Sequence, residues 1–147
     1  MVALQVGVIN VKDAWMEKVL TTRSNKDYLK VIYKVKKKHG GCRNILLANE
    51  MGVSKASVSV AVKKLEQEGL VSRDLWGINL TNAGEQIAER LYAKEMFFVQ
   101  WFTEIGINEE TAQADARTME YAISEETFEK IHNYLKSCQL LAQTQTE

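Results

Sequence analysis

Residues 43–80, RNILLANEMGVSKASVSVAVKKLEQEGLVSRDLWGINL, decide the fold of this chain. From Asn44 to Met51, the apolar residues Ile45, Leu46, Ala48 and Met51 recur at helical spacing. Gly52 follows where a helix C-cap favours a residue tolerant of positive φ. After Val53, Ser54 can accept from the free N–H groups of a second helix, on which Val58, Ala61, Val62 and Leu65 form one stripe until Gly69 stops it. Two helices joined by so short a turn make a helix-turn-helix. The second helix leaves Lys55, Ser57, Ser59 and Lys63 outside its stripe, small or basic side chains suited to a DNA major groove. Two strand-like runs, Leu70–Leu75 and Ile78–Leu80, flank Trp76-Gly77 and read as a β-hairpin wing with Arg73 near its tip. The competing reading is an amphipathic helical hairpin that only packs.

Working outward, 147 residues suffice for one ordinary core, or for a small domain joined to a dimerising helical region. Apolar residues make up 46% and proline is absent, so the expected class is all-α in the main: an N-terminal winged helix-turn-helix followed by a helical dimerisation domain. Cys42 and Cys138 lie far apart without CxxC spacing, which indicates neither a disulfide framework nor a zinc knuckle. With no signal peptide and no membrane-length apolar run, the expected location is the cytoplasm, with no membrane partner. The zero net charge conceals an asymmetry. Residues 1–80 hold 14 Lys+Arg against 7 Asp+Glu, a net +7, whereas residues 81–147 hold 5 against 12, a net −7. A basic half suits a polyanion and an acidic half suits a different partner.

Residues 1–22, with the alternating Val2, Leu4, Val6 and Val8 and a short helical pattern from Ala14 to Leu20, form an N-terminal extension to which no role is assigned. The DNA-binding domain is placed at 23–81. Within it, Ser24 or Asn25 is expected to cap a helix that buries Tyr28, Ile32 and Val35 and ends before Gly40 in a cluster of Lys34, Lys36, Lys37 and Lys38. The linker helix and dimerisation domain are placed at 82–141. Thr81 caps a long helix to Phe102, crowded with Tyr92, Phe97, Phe98, Trp101 and Phe102, which demands a covering helix or subunit. Ile105–Asn108 interrupts it, and helices Glu109–Ala122 and Glu125–Leu141 follow, the second capped by Ser124. Residues 142–147 are expected to fray.

The succession DYLKVIYKVKKKHG, RNILLANEMGVSKASVSVAVKKLEQEGLV, a wing, LTNAGEQIAERL and IGINEETAQADARTMEYAIS resembles the diphtheria-toxin-repressor (DtxR-like) family of metal-dependent transcriptional regulators, most closely its short manganese-responsive, MntR-like members. The resemblance covers roughly residues 25–137. It implies a homodimeric repressor that binds palindromic operators in double-stranded DNA and is activated by manganese or iron. Position by position, the metal ligands implied by the family fall on Asp27, Lys30, Glu95, Arg117, Glu120 and Tyr121, of which only Asp27 and Glu120 keep the family's ligand identity. His39 and His132 match no ligand position. The expectation is that no cofactor is required, and that Lys30 and Arg117 pair with Asp27, Glu95 and Glu120 so that cationic side chains stand in for the metal. Two alternatives stay open: a decayed site of ordinary surface charges, and a weakly bound divalent cation, manganese or iron, on the remaining carboxylates.

The residues expected to bind DNA are Arg43, Ser54, Lys55, Ser57, Ser59, Lys63 and Arg73, with Arg43 and Lys55 on phosphates and Ser57 and Ser59 near base edges. An enzyme is disfavoured by the absence of GxSxG, P-loop and HExxH patterns. A winged helix that has turned to binding protein is the remaining rival, distinguished by a weak dependence on salt.

Overall fold

The computed structural model describes residues 23–144. The readings made for residues 1–22 and 145–147 lie outside the described residues. Six helices and one hairpin follow in order: α1 (Arg23–His39), α2 (Asn44–Met51), α3 (Lys55–Gln67), β1 (Val71–Asp74), β2 (Gly77–Leu80), α4 (Asn82–Glu104), α5 (Glu109–Ala122) and α6 (Glu125–Thr144). They divide into two compact units, one ending at Phe97 and the other beginning at Phe98, so α4 contributes to both.

In the first unit, α1 buries Tyr28, Leu29, Ile32, Tyr33 and Val35 along one stripe. Ser24 and Asn25, expected as its cap, lie inside this helix as described from Arg23, and Asn25 is buried. α2 ends as expected at Gly52, whose φ of 65° is the left-handed conformation that spares a side chain its steric cost. Its deepest residue is Leu47, fully buried, whereas Ile45 is 42% exposed. Helical spacing had marked Ile45 because a short helix offers two candidate stripes and propensity does not choose between them. The Ser54 hydroxyl accepts the Ser57 N–H at 3.1 Å and opens α3, a cap worth about 1 kcal/mol. Val58, Val62 and Leu65 of α3 join Leu47 and Ala48 in the core. The chain turns by 108° between α2 and α3, within the range of a helix-turn-helix.

The hairpin pairs Val71 with Leu80, Ser72 with Asn79, Arg73 with Ile78 and Asp74 with Gly77. It is fastened to the start of α2 by the Ile78 N–H, which donates to the Cys42 carbonyl at 2.7 Å. Arg73 therefore lies within β1, and the tip is Leu75-Trp76. Asp74 organises that tip: one carboxylate oxygen accepts the Trp76 and Gly77 N–H groups at 2.7 and 3.0 Å, and the other accepts the Asn79 amide at 2.8 Å. The LTNAG segment then shows its purpose. The Thr81 hydroxyl donates to the Gly69 carbonyl at 2.7 Å and accepts the Gly84 N–H at 3.2 Å, joining the turn after α3 to the first turn of α4. Gly84 lies so close to the Leu70 carbonyl that a Cβ would overlap it. Ile87, Ala88 and Leu91 of α4 complete this core.

In the second unit, Phe98 stacks on Phe102 at 5.9 Å between ring centres and meets Phe128 of α6 at 5.7 Å. Ala112 and Ala116 of α5 are buried. Asn108 caps α5 by accepting the Thr111 N–H at 3.0 Å, and Ser124 caps α6 by accepting the Thr127 N–H at 3.2 Å. On the same two helices Ala122 is exposed and Met119, Ile131 and Leu135 are half-buried. The backbone of α6 continues to Thr144, past the expected fraying point at 142.

Candidate nucleic-acid interface

The stripe Val58, Val62 and Leu65 fixes the rotation of α3, because those three side chains face the core. At 100° per residue the opposite face is centred on Ala56, Val60, Lys63 and Gln67, all exposed, with Val60 at 72%. Lys55 and Lys64 are also exposed, as is Arg43 at the N-cap of α2. Of the two serines expected near base edges, Ser57 is exposed, with its hydroxyl 2.9 Å from that of Ser54. Ser59 is half-buried and accepts the Asn44 amide at 3.4 Å, so it braces α3 against α2 at the flank of the exposed face. Reading the sequence by residue type selected the hydroxyls and missed Ala56 and Val60. A helical wheel centred on the core stripe would have found both, and apolar side chains there match the thymine methyl groups of a major groove.

On the wing, Arg73 donates to Glu66 of α3 through Nη2 at 2.9 Å and Nε at 3.3 Å. Both side chains are more than one-third exposed, so the pair orients the wing against α3 more than it stabilises the fold. Leu75 and Trp76 project from the tip at 98% and 77% exposure. Beyond them, the last turn of α1 presents Lys37 and Lys38, with the Lys37 ammonium 4.7 Å from the Tyr33 ring centre. Its hydrogen bond to the Tyr33 hydroxyl raises the Lys37 pKa, and the charge is firmly held.

A second cluster lies inside the first unit, between α1 and α4. The Lys30 ammonium is 2.6 Å from one oxygen of Glu95 and 3.9 Å from Asp27, while Lys34 reaches the other Glu95 oxygen at 3.5 Å. The Lys30 and Glu95 side chains are 4% and 3% exposed, so this is a buried ion pair with a half-exposed rim. Asp27, Lys30 and Glu95 thus come together as expected, and Lys34 joins them. It was missed because its exposed neighbours Lys37 and Lys38 made it look like part of a solvated run. In the second unit α5 carries Arg117, exposed, Glu120, buried, and Tyr121, half-buried.

Comparison with known proteins bears on both features. A family profile described as iron dependent repressor, N-terminal DNA binding domain, matches residues 20–74, and one described as iron dependent repressor, metal binding and dimerisation domain, matches residues 81–140. The chain belongs to the iron-dependent repressor family. Among its relatives are the transcriptional regulator MntR of Escherichia coli O6:H1, 31% identical over 104 residues that cover 70% of this chain and 67% of the relative. The regulator MntR of Bacillus subtilis is 30% identical over 113 residues, covering 76% and 80%. Among solved structures, the manganese regulator SloR is 31% identical with a TM-score of 0.65, and the match covers 76% of this chain but only 53% of SloR. A hypothetical protein of Sulfolobus solfataricus is 28% identical with a TM-score of 0.58, over 78% of this chain and 88% of that one.

The family's profile implies a metal, and the side chains brought together here do not fit one. Divalent manganese or iron needs lone pairs from carboxylates, imidazoles or carbonyls, whereas the centre of this cluster is an ammonium in contact with Glu95. Among the described residues no group of three or more His, Cys, Asp or Glu side chains is placed to hold an ion.

Proposed function

We propose that this repressor-family chain acts as a homodimer that binds a pseudo-palindromic operator in double-stranded DNA and represses transcription in the cytoplasm, by binding and not by catalysis. The observation that carries the reading is the capped α2–α3 pair turning by 108°, with an exposed face of small, apolar and basic side chains on α3. In this reading Lys55, Lys63 and Arg43 meet phosphates and set the register, and the α3 N-terminus opened by Ser54 adds its dipole. Ser57, Ala56 and Val60 face base edges. Ser59 positions the helix through Asn44, and Arg73 carries the wing towards the backbone when it exchanges Glu66 for a phosphate. The acidic second half, which matches the profile of a dimerisation domain, supplies the two-fold contact.

Electrophoretic and anisotropy titrations against genomic fragments test the proposal. Saturable binding of a discrete fragment at two protomers per site, weakening steeply with salt, is expected. The exposed Leu75 and Trp76 favour a second reading, a winged helix that grips protein. Capture of a protein partner with little salt dependence, and no retained duplex, would establish that reading instead.

A further inference from the structure

Lys30 is the feature that DNA binding leaves unexplained. It is a buried residue of α1, its side chain 4% exposed and its ammonium directed at Glu95 across the α1–α4 contact. A buried ammonium is tolerated only while its counter-charge is in place, and the same holds for the buried carboxylate. The pair therefore penalises any shift of α1 along α4 that would separate them. Asp27 and Lys34 extend the pair on either side, so that each buried charge faces two of opposite sign. The pair also occupies the positions where the family resemblance puts metal ligands on α1 and α4.

We propose that Lys30 is a resident cation in place of the family's divalent ion. The lysine fixes α1 to α4 permanently, so the DNA-binding unit keeps its operator-competent arrangement without manganese or iron. Occupation by the ammonium also excludes a divalent ion, through the filled space and like-charge repulsion. This inference rests on the DNA-binding reading above only for its consequence; the latch itself is measurable without DNA.

The test uses the full chain in chelator and in excess manganese chloride or ferrous salt. The parent should melt within about 1 °C of the same temperature in all three and, on an operator fragment, bind with affinities within about twofold. Lys30→Met should lower Tm by about 10 °C, and adding Glu95→Gln should recover at least half of that, because the second change removes the stranded carboxylate. Lys30→Glu, which gathers three carboxylates, should acquire a manganese-dependent rise in Tm of about 5 °C that the parent lacks. Additive effects of Lys30→Met and Glu95→Gln would overturn the latch. A parent whose Tm or DNA affinity collapses in chelator would overturn metal independence. Coupling between Lys30 and Glu95 in a chain that binds no duplex under any condition would uphold the latch and refute the DNA-binding reading.

Discussion

Replacing Lys55 and Lys63 together with alanine measures the proposed interface directly. The two residues are eight positions apart on α3 and both exposed, which at 1.5 Å per residue separates them by about 12 Å along the axis. A major groove is about 12 Å wide, so the pair can reach phosphates on opposite walls of one groove. A dimer then loses four phosphate contacts, and the slope of log K against log salt should become less negative by about 3.6. Between 1 M and 0.15 M salt, four such contacts account for about a thousandfold in affinity, and the double variant should lose most of it on specific and non-specific duplexes alike. Fluorescence anisotropy on a labelled duplex over a salt series gives slope and affinity together, with circular dichroism establishing that the variant is folded. A folded double variant with the parent's slope would refute this placement of α3.

Val60→Ala, at a side chain 72% exposed, should leave Tm within about 1 °C yet weaken binding at positions where the operator carries a thymine, as competition with substituted duplexes will report. Gly84→Ala should cost about 1–3 kcal/mol in a denaturant titration, because its Cβ overlaps the Leu70 carbonyl; an unchanged midpoint would mean that the Thr81 turn does not bring α4 so close. Burial pushes the Cys42 thiol up from 9.0 to about 11, partly opposed by Lys36. At pH 8 about one molecule in a thousand then carries the thiolate, so iodoacetamide should label exposed Cys138 and spare Cys42 by mass spectrometry. A folded pKa above the ordinary value stabilises below about pH 9, and that contribution is lost as pH rises through about 11. Cys42→Ala should remove this part of the alkaline decline.

The winged helix was legible because each of its boundaries rests on local chemistry: Gly52 in the left-handed conformation, Ser54 on the Ser57 N–H, and Thr81 on Gly84. In the second unit the start of α6 was legible for the same reason, through Ser124, whereas Asn108 read only as the end of an interruption and its role as the cap of α5 came from the structure. What local pattern could not supply was the rotation of each helix. Leu47 displaced Ile45 from the core, Ser59 turned to Asn44, and Val60 emerged at the centre of the presented face, all decided by packing between α1, α2 and α3. The hairpin tip shifted for a comparable reason: Asp74 accepts three hydrogen bonds and closes the turn at Leu75-Trp76, leaving Arg73 to Glu66. Lys30 and Glu95 were expected together only through the family resemblance; 65 positions apart in the sequence, they share no local signal.

Metal-independent operator recognition can be measured by selecting duplexes from a randomised library with the purified full chain in chelator. One pseudo-palindrome should be enriched, its half-sites one helical turn, or a small multiple, apart, and the same sequence should be recovered when manganese is added. Failure to enrich any sequence, or enrichment that appears only with manganese, would contradict metal-independent recognition.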